Sequence, residues 1–325
     1  MIVMYFNKNN NFFHGIMFHH FHDDGIHTKG QGSISKDDFY KMINFIGRNN
    51  ILDADIFFEK FKNKKLKENE VCLTFDDAIK CQIDVALPVL EELKIKSFFF
   101  VYTSMFEGRP DNLEVFRYFR MNFFDNVDEF YNNFYKVLDK DLRNFFDTNN
   151  EKIKSTKVKF PHYSIEDIKF RLVRDVFLTK SHYEETMFLM MKEKQFHFKK
   201  FYPRLFFNSN DLKKLNSLGH LVGLHSHNHP TLLEKFTYDE QKNEYEQCLS
   251  VISKILNKSK NDVKYISHPC GSYNSNTLAI LKELGIELGF KQIMTIEPEK
   301  GMKKINNSFL EIARQDHTEI FKRMN

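Results

Sequence analysis

Two short stretches hold the residue types that metal-assisted hydrolysis requires. The first is Thr74-Phe75-Asp76-Asp77, where two adjacent carboxylates follow an apolar run. Burying an unpaired carboxylate is expensive, so such a pair marks a place where the chain meets solvent or a cation. One aspartate can ligate a metal while its neighbour accepts a proton or stabilises charge. As plain structure, the pair would be a solvated strand-end turn or a helix cap. The second stretch is His225-Ser226-His227-Asn228-His229-Pro230. His225 and His229 are four apart, a spacing that lets two imidazoles reach one ion, with His227 between them. Imidazole is a favoured ligand for zinc and related divalent ions. As plain structure, the run would be surface histidines in a loop. The two stretches together point to a metal more firmly than either does alone.

Both stretches directly follow strand-like runs. Val71–Phe75 precedes the aspartates, and a helical pattern follows with Val85, Ala86, Val89, Leu90 and Leu93 on one face. Pro88 belongs in a first turn, which predicts a helix start near Ala86 or Leu87. Ser97–Tyr102 is the next strand, giving a strand–helix–strand unit with short links. The pattern resumes with a helix over Leu212–Leu218, a strand at Leu221–Leu224 and a capping box, Thr237 with Glu240, ahead of a long amphipathic helix. Strands are predicted at Val263–Ser267, Ile286–Phe290 and Phe309–Ala313, with a helix from Ser275 to Leu284. Such alternation suggests a parallel (β/α) barrel, incomplete or distorted, whose active-site face lies at the strand C-termini. Its halves are residues 1–105 and 208–325. Between them, residues 106–207 show helical periodicity alone over Leu113–Phe124, Val127–Leu142 and Ile165–Lys192, a helical insertion or cap.

The totals exclude several classes. The chain has 325 residues, 42% hydrophobic and 28% charged, which is globular composition. Its 48 basic and 44 acidic residues are mixed along the chain without a basic stripe, so nucleic acid is not an expected partner. The 36 phenylalanines reflect either compositional bias or an aromatic-lined substrate surface. Cys72, Cys81, Cys248 and Cys270 are scattered and form no CxxC pair, so neither a disulfide framework nor a zinc ribbon is expected. No apolar run is long enough for a membrane helix, and the opening residues lack the marks of a secretion signal. A reduced, cytoplasmic protein is the expectation.

The three ordered motifs resemble those of the NodB-homology polysaccharide deacetylases, carbohydrate esterase family 4. Thr74–Asp77 matches the TFDD motif, His225–His229 matches H(S/T)xxH, and Ser267-His268-Pro269-Cys270-Gly271 matches a variant of the third. The resemblance spans roughly residues 15–102 and 208–290. It implies a distorted or incomplete (β/α) barrel of the NodB type, and some relatives carry a helical insertion at the same place. It further implies a divalent metal, zinc by default, held by Asp77, His225 and His229. Asp76 would be the general base toward a metal-activated water, and the Cys270 backbone N–H an oxyanion donor. The reaction implied is removal of an acetyl group, N-acetyl foremost, from a sugar or glycan precursor. Hydrolysis of an O-acetyl or formyl group would use the same chemistry.

The sequence also departs from that pattern. Ala78 stands where Gly is usual, and Ser267 where many members have the Arg that orients the base; Arg314 is the candidate replacement. The usual late motif that supplies the general acid is not evident. The nearest substitute is Arg314-Gln315-Asp316-His317, just past the last predicted strand, with His317 as acid and Arg314 or Asp316 as orienting groups. His19 and His20 follow the apolar run Gly15–Phe18 and are further candidates for acid or substrate contact, since relatives have a histidine near the barrel mouth here. His268 either lines the site or is structural, and His22 and His27 are loop residues. The altered third motif and the missing acid motivate an alternative: a barrel that binds metal and sugar without turnover.

Overall fold

The strand-like runs pair with one another in chain order until the last meets the first. In the computed structural model, which describes residues 14–30, 32–67, 69–159, 163–293 and 308–324, seven strands close a barrel. They are β1 (His14–Phe18), β2 (Val71–Phe75), β3 (Phe98–Val101), β4 (Leu221–Leu224), β5 (Tyr265–Ser267), β6 (Leu288–Ile293) and β7 (Ile312–Asp316). Every pairing is parallel, including β1 with β7, where Met17 stands opposite Asp316. The expected barrel is therefore present, closed with seven strands instead of the usual eight. Because all strands run the same way, the residues after β1, β2, β4 and β5 emerge at one end. The opening residues, read above for a secretion signal, lie outside the described segments.

The helices between strands form where the apolar stripe and caps place them. Tyr238–Leu256 begins at a complete capping box of Thr237 and Glu240 and buries Tyr245, Cys248, Leu249 and Ile252. Leu87–Glu92 has Pro88 in its first turn and is preceded by a wide helical turn at Gln82–Ala86. The last strand differs from expectation: β7 starts at Ile312, so Arg314, Gln315 and Asp316 lie within it, not beyond it.

Phenylalanine builds the core. Phe57, Phe98, Phe100 and Phe290 are fully buried around Tyr265, and Phe18, Phe75 and Phe99 stack in sequence with ring centroids 5.3 and 4.7 Å apart. Gly223 in β4 is dictated by this packing. A Cβ there would stand 2.6 Å from the Tyr265 carbonyl oxygen and 2.7 Å from the Phe100 ring. Gly223→Ala is expected to cost about 1–3 kcal/mol of stability, measured by denaturant unfolding, since overpacking forces backbone shifts.

The chain divides into two compact units, residues 1–111 with 203–325, and residues 112–202. The second unit is all helix among its described residues, built around Phe116, Phe119, Phe130, Phe134, Phe170 and Met187. The helical periodicity over Ile165–Lys192 belongs to two helices with a break between them. Ile165–Leu172 runs into a wide turn, Val173–Phe177, and Lys180–Glu193 restarts with the Thr179 hydroxyl accepting from the His182 amide. A threonine cap favours extended backbone at that point, and helical periodicity alone does not reveal it.

Candidate active site

The parallel register brings the two aspartates and the histidine run together at the strand C-termini. Asp77 Oδ1 lies 3.2 Å from His225 Nε2 and 3.4 Å from His229 Nε2. The opposite side of each ring is fixed. His225 Nδ1 sits 2.7 Å from the Ser267 carbonyl oxygen, and His229 Nδ1 sits 2.8 Å from Asp111 Oδ2. A carbonyl and a carboxylate only accept, so each Nδ1 carries a proton and each Nε2 is the atom left to meet a cation, a metal ion or a second proton. Both Nε2 atoms face Asp77 Oδ1, itself buried without a hydrogen-bond partner. Three potential ligand atoms, all within 4.8 Å of one another, thus converge. This donor set fits a divalent cation, and two imidazoles with a carboxylate suit zinc.

The electrostatics agree. Burial alone would raise the Asp77 carboxyl, but His229, His225 and His19 override it and hold the group far below the ordinary carboxylate range. Burial alone would lower the His229 pKa, yet the Asp77 charge and the Asp111 hydrogen bond raise it well above normal, so with no cation bound the ring takes a second proton, on the Nε2 that faces Asp77. The loops carrying these groups are strained: Asp77, Ala78, Ser226, His229 and Cys270 all have φ between 51 and 74°. Ala78, at φ 52°, occupies the left-handed region that the expected glycine would take more cheaply. Strain of this kind persists only where surrounding contacts enforce it. Here Glu244, from the capped helix Tyr238–Leu256, clamps the loop by accepting from the amides of His227 and Asn228 at 2.9 and 2.8 Å.

Asp76 is 2% exposed and held on both sides. Arg314 Nη1 donates to its Oδ1 at 2.7 Å, and the Ser267 hydroxyl donates to its Oδ2 at 2.9 Å. Arg314 Nη2 donates in turn to Ser267 Oγ at 2.7 Å. Burial would raise this carboxyl, and the Arg314 charge outweighs it, so Asp76 stays ionised below its ordinary range. The arginine missing from position 267 is thus supplied by β7 across the barrel, with Ser267 as the link. The expectation for Arg314 as orienting cation agrees with this placement.

The other candidates separate. His19 Nε2 is 3.9 Å from Asp77 Oδ2 and the side chain is 25% exposed, so this ring borders the ligand set. His20 lies beside it, with ring centroids 6.5 Å apart. His268 is fully buried, its Nε2–H donating to the Leu310 carbonyl at 2.8 Å while its ring stacks on Tyr273. Burial pushes its pKa down to about 4, which favours the neutral ring, and the ring presents no exposed surface to a substrate. His22 and His27 brace their loop through Ser33 and Asp84. The Cys270 side chain is exposed, and the residue occupies a left-handed turn.

His317 and Asp316 require correction. His317 is 3% exposed, with Nδ1 3.1 Å from the Met17 carbonyl oxygen and Nε2 2.7 Å from that of Gly32. Neither ring nitrogen is turned toward the ligand set, so His317 is a tether between β1 and its following loop, not the acid. Asp316 accepts from the Thr318 amide at 2.8 Å and from its hydroxyl, capping the helix His317–Met324. His317→Ala is expected to lower stability by roughly 1–3 kcal/mol, the cost of unpaired buried groups, and to leave kcat of the folded protein in place. A fall in kcat with unchanged Tm would return His317 to the chemistry.

Sequence reasoning missed three residues. Gln82 Nε2 bridges the Asp76 and His19 carbonyls at 2.6 and 3.0 Å, Glu244 clamps the histidine loop, and Asp111 backs His229. No motif signals any of them.

A sequence model of the family described as Polysaccharide deacetylase matches residues 63–163 and 175–289, more than half of the chain. Among solved structures, the deacetylase PplD of Streptococcus pyogenes, in complex with acetate, is similar with a TM-score of 0.54 at 16% identity, over 94% of this chain and 91% of that one. A de-N-acetylase from Aggregatibacter actinomycetemcomitans gives 0.52 at 12% identity, covering 96% and 99%. IcaB from Ammonifex degensii gives 0.50 at 12%, covering 93% and 90%. At such identities these likenesses speak for the fold. Comparison with curated proteins finds no match. The family model covers β2 to β5, from both sides of the helical unit, and includes Asp76, Asp77, His225, His229 and Ser267, and on that ground the chain belongs to the polysaccharide deacetylase family and is a carbohydrate deacetylase.

Proposed function

We propose that the protein removes an N-acetyl group from a sugar or glycan precursor with the help of one divalent ion, zinc by ligand chemistry, held by Asp77, His225 and His229. The observation that carries this reading is the convergence of three potential ligand atoms beside a buried, ionised Asp76. Bound there, the ion supplies Lewis acidity, polarising the acetyl carbonyl and bringing the pKa of water from 15.7 toward about 7.

The remaining work falls to the chain. Asp76, oriented by Arg314 and Ser267, accepts the proton of the attacking water. Its depressed pKa keeps it ionised, and thus able to accept, throughout neutral pH. His19, at the solvent edge of the ligand set, gives a proton to the leaving nitrogen. The Cys270 backbone N–H donates to the oxyanion as it forms, a contribution of about 3 kcal/mol for such a donor. The binding-only alternative rested on a missing arginine and a missing acid; Arg314 and His19 are the residues that fill those roles in this reading.

Asp76→Asn is expected to bind metal with wild-type affinity and to lose turnover. Retained turnover would sink its role as base. His19→Ala is expected to slow the reaction by about 10²–10⁴-fold with metal retained. Should it have no effect, His20 becomes the next residue to test. Acetate release from matched amide and ester substrates distinguishes N-acetyl from O-acetyl hydrolysis. A cytoplasmic location is part of the proposal and would favour nucleotide-linked or lipid-linked sugars; cell fractionation tests it.

A further inference from the structure

The two histidine ligands are backed unequally. His225 donates through Nδ1 to a neutral backbone carbonyl, that of Ser267, whereas His229 donates to a carboxylate, that of Asp111. We propose that Asp111 is a positioning residue for the metal site, fixing the tautomer and rotation of His229 and making its Nε2 the stronger donor. This inference rests on the metal-site reading above.

Three observations support it. The contact is short and sheltered: 2.8 Å between Nδ1 and Oδ2, with the two side chains 10% and 9% exposed, so water competes little for either group. Asp111 is itself held in place, since its backbone N–H donates to the Tyr102 hydroxyl at 3.0 Å. Tyr102 is 2% exposed and its ring lies against His229, centroids 5.4 Å apart. The ring is thus gripped on one face and at one nitrogen, leaving Nε2 directed at Asp77.

The backbone of His229 explains why such a grip is needed. At φ 54° it lies in the left-handed region, where a bulky residue is uncommon and local preference does not hold the conformation. His225 directly follows a regular strand, and the strand β5 that pairs with β4 supplies its partner carbonyl. His229 sits four residues further into the loop, beyond that ladder. Its partner comes instead from the chain entering the helix Asn112–Asn122, with Asp111 as the residue just before it. A carboxylate behind an imidazole strengthens the donor nitrogen opposite, and removing such partners commonly weakens metal binding by 10–100-fold.

The test is zinc affinity, read by competition with a chromogenic chelator, on purified wild-type protein and on Asp111→Ala, Asp111→Asn and His229→Ala. Asp111→Ala is expected to bind zinc about 10–100-fold more weakly. Asp111→Asn is expected to lose less, because its amide oxygen still accepts from Nδ1–H without supplying charge. Unchanged affinity in Asp111→Ala, with zinc lost in His229→Ala, would overturn the proposal while leaving the metal site standing. Equal binding by wild type and His229→Ala, or none by either, would instead overturn the metal-site reading on which it rests. If Asp111→Ala does not fold, Asp111→Asn decides: a several-fold drop supports the role, and wild-type affinity overturns it. A purely structural tether would lower Tm in both variants without this graded response.

Discussion

Asp77→Ala is expected to abolish metal binding and reduce acetate release to the uncatalysed level. Asp77 is the sole anionic member of the ligand set, and its Oδ1 faces both Nε2 atoms at 3.2 and 3.4 Å. Removing it leaves two neutral imidazoles, too few donors for a divalent ion. The loss should exceed the roughly 100-fold that outer-shell partners command. The metal-free protein is expected to lose stability as well. Removal spares the desolvation of a buried Oδ1 but takes away the charge that His229, His225 and His19 stabilise, and the left-handed φ of 74° is kept by either residue. Chelator competition and thermal unfolding of the metal-free forms separate these effects. Wild-type zinc affinity in Asp77→Ala would remove Asp77 from the site.

Arg314→Ala is expected to have the second largest effect, on folding and chemistry together. The Arg314–Asp76 pair is almost wholly buried, at 1% and 2% exposure, with a 2.7 Å contact. Deleting one partner of a buried pair strands the other charge, at a cost of about 3–5 kcal/mol. Arg314→Lys separates the roles. Lysine restores a charge but not the planar fork that donates to Asp76 Oδ1 and Ser267 Oγ at once. It should recover much of the stability and little of the turnover, as measured by denaturant unfolding and kcat. Full turnover in Arg314→Lys would mean that Asp76 needs a charge nearby but no orientation.

The candidate ligand set is legible in the sequence because its signal is local. A carboxylate pair and an HxxxH run each follow an apolar strand, and a parallel barrel gathers strand ends at one mouth. The sequence offers Arg314 as a candidate but places it at the edge of the last strand, because the apolar residues Phe309–Ala313 make the better strand pattern. β7 is instead Ile312–Asp316, three of its five residues polar, all of it buried. Periodicity rules assume that buried means apolar, and this strand breaks the assumption by pairing its charge with Asp76 inside the barrel. His317 misled for the opposite reason: its type and place suit an acid, but the carbonyls of Met17 and Gly32 that occupy it are about 300 residues away in sequence. Asp111 and Glu244 were invisible on the same ground, since each works through a partner that no spacing rule connects to it. The phenylalanines, ambiguous by count, are resolved in large part by burial: rings such as Phe98, Phe99 and Phe100 fill the core.

The central claim is metal-dependent removal of acetyl groups from sugars. The most direct test is acetate release by purified protein from a panel of N-acetylated sugars and sugar nucleotides, with chelator, and after zinc is restored. Acetate that disappears with chelator and returns with zinc is the expected result. Tight zinc binding at Asp77, His225 and His229 with no acetate from any member of the panel would contradict the account and favour a barrel that binds without turnover.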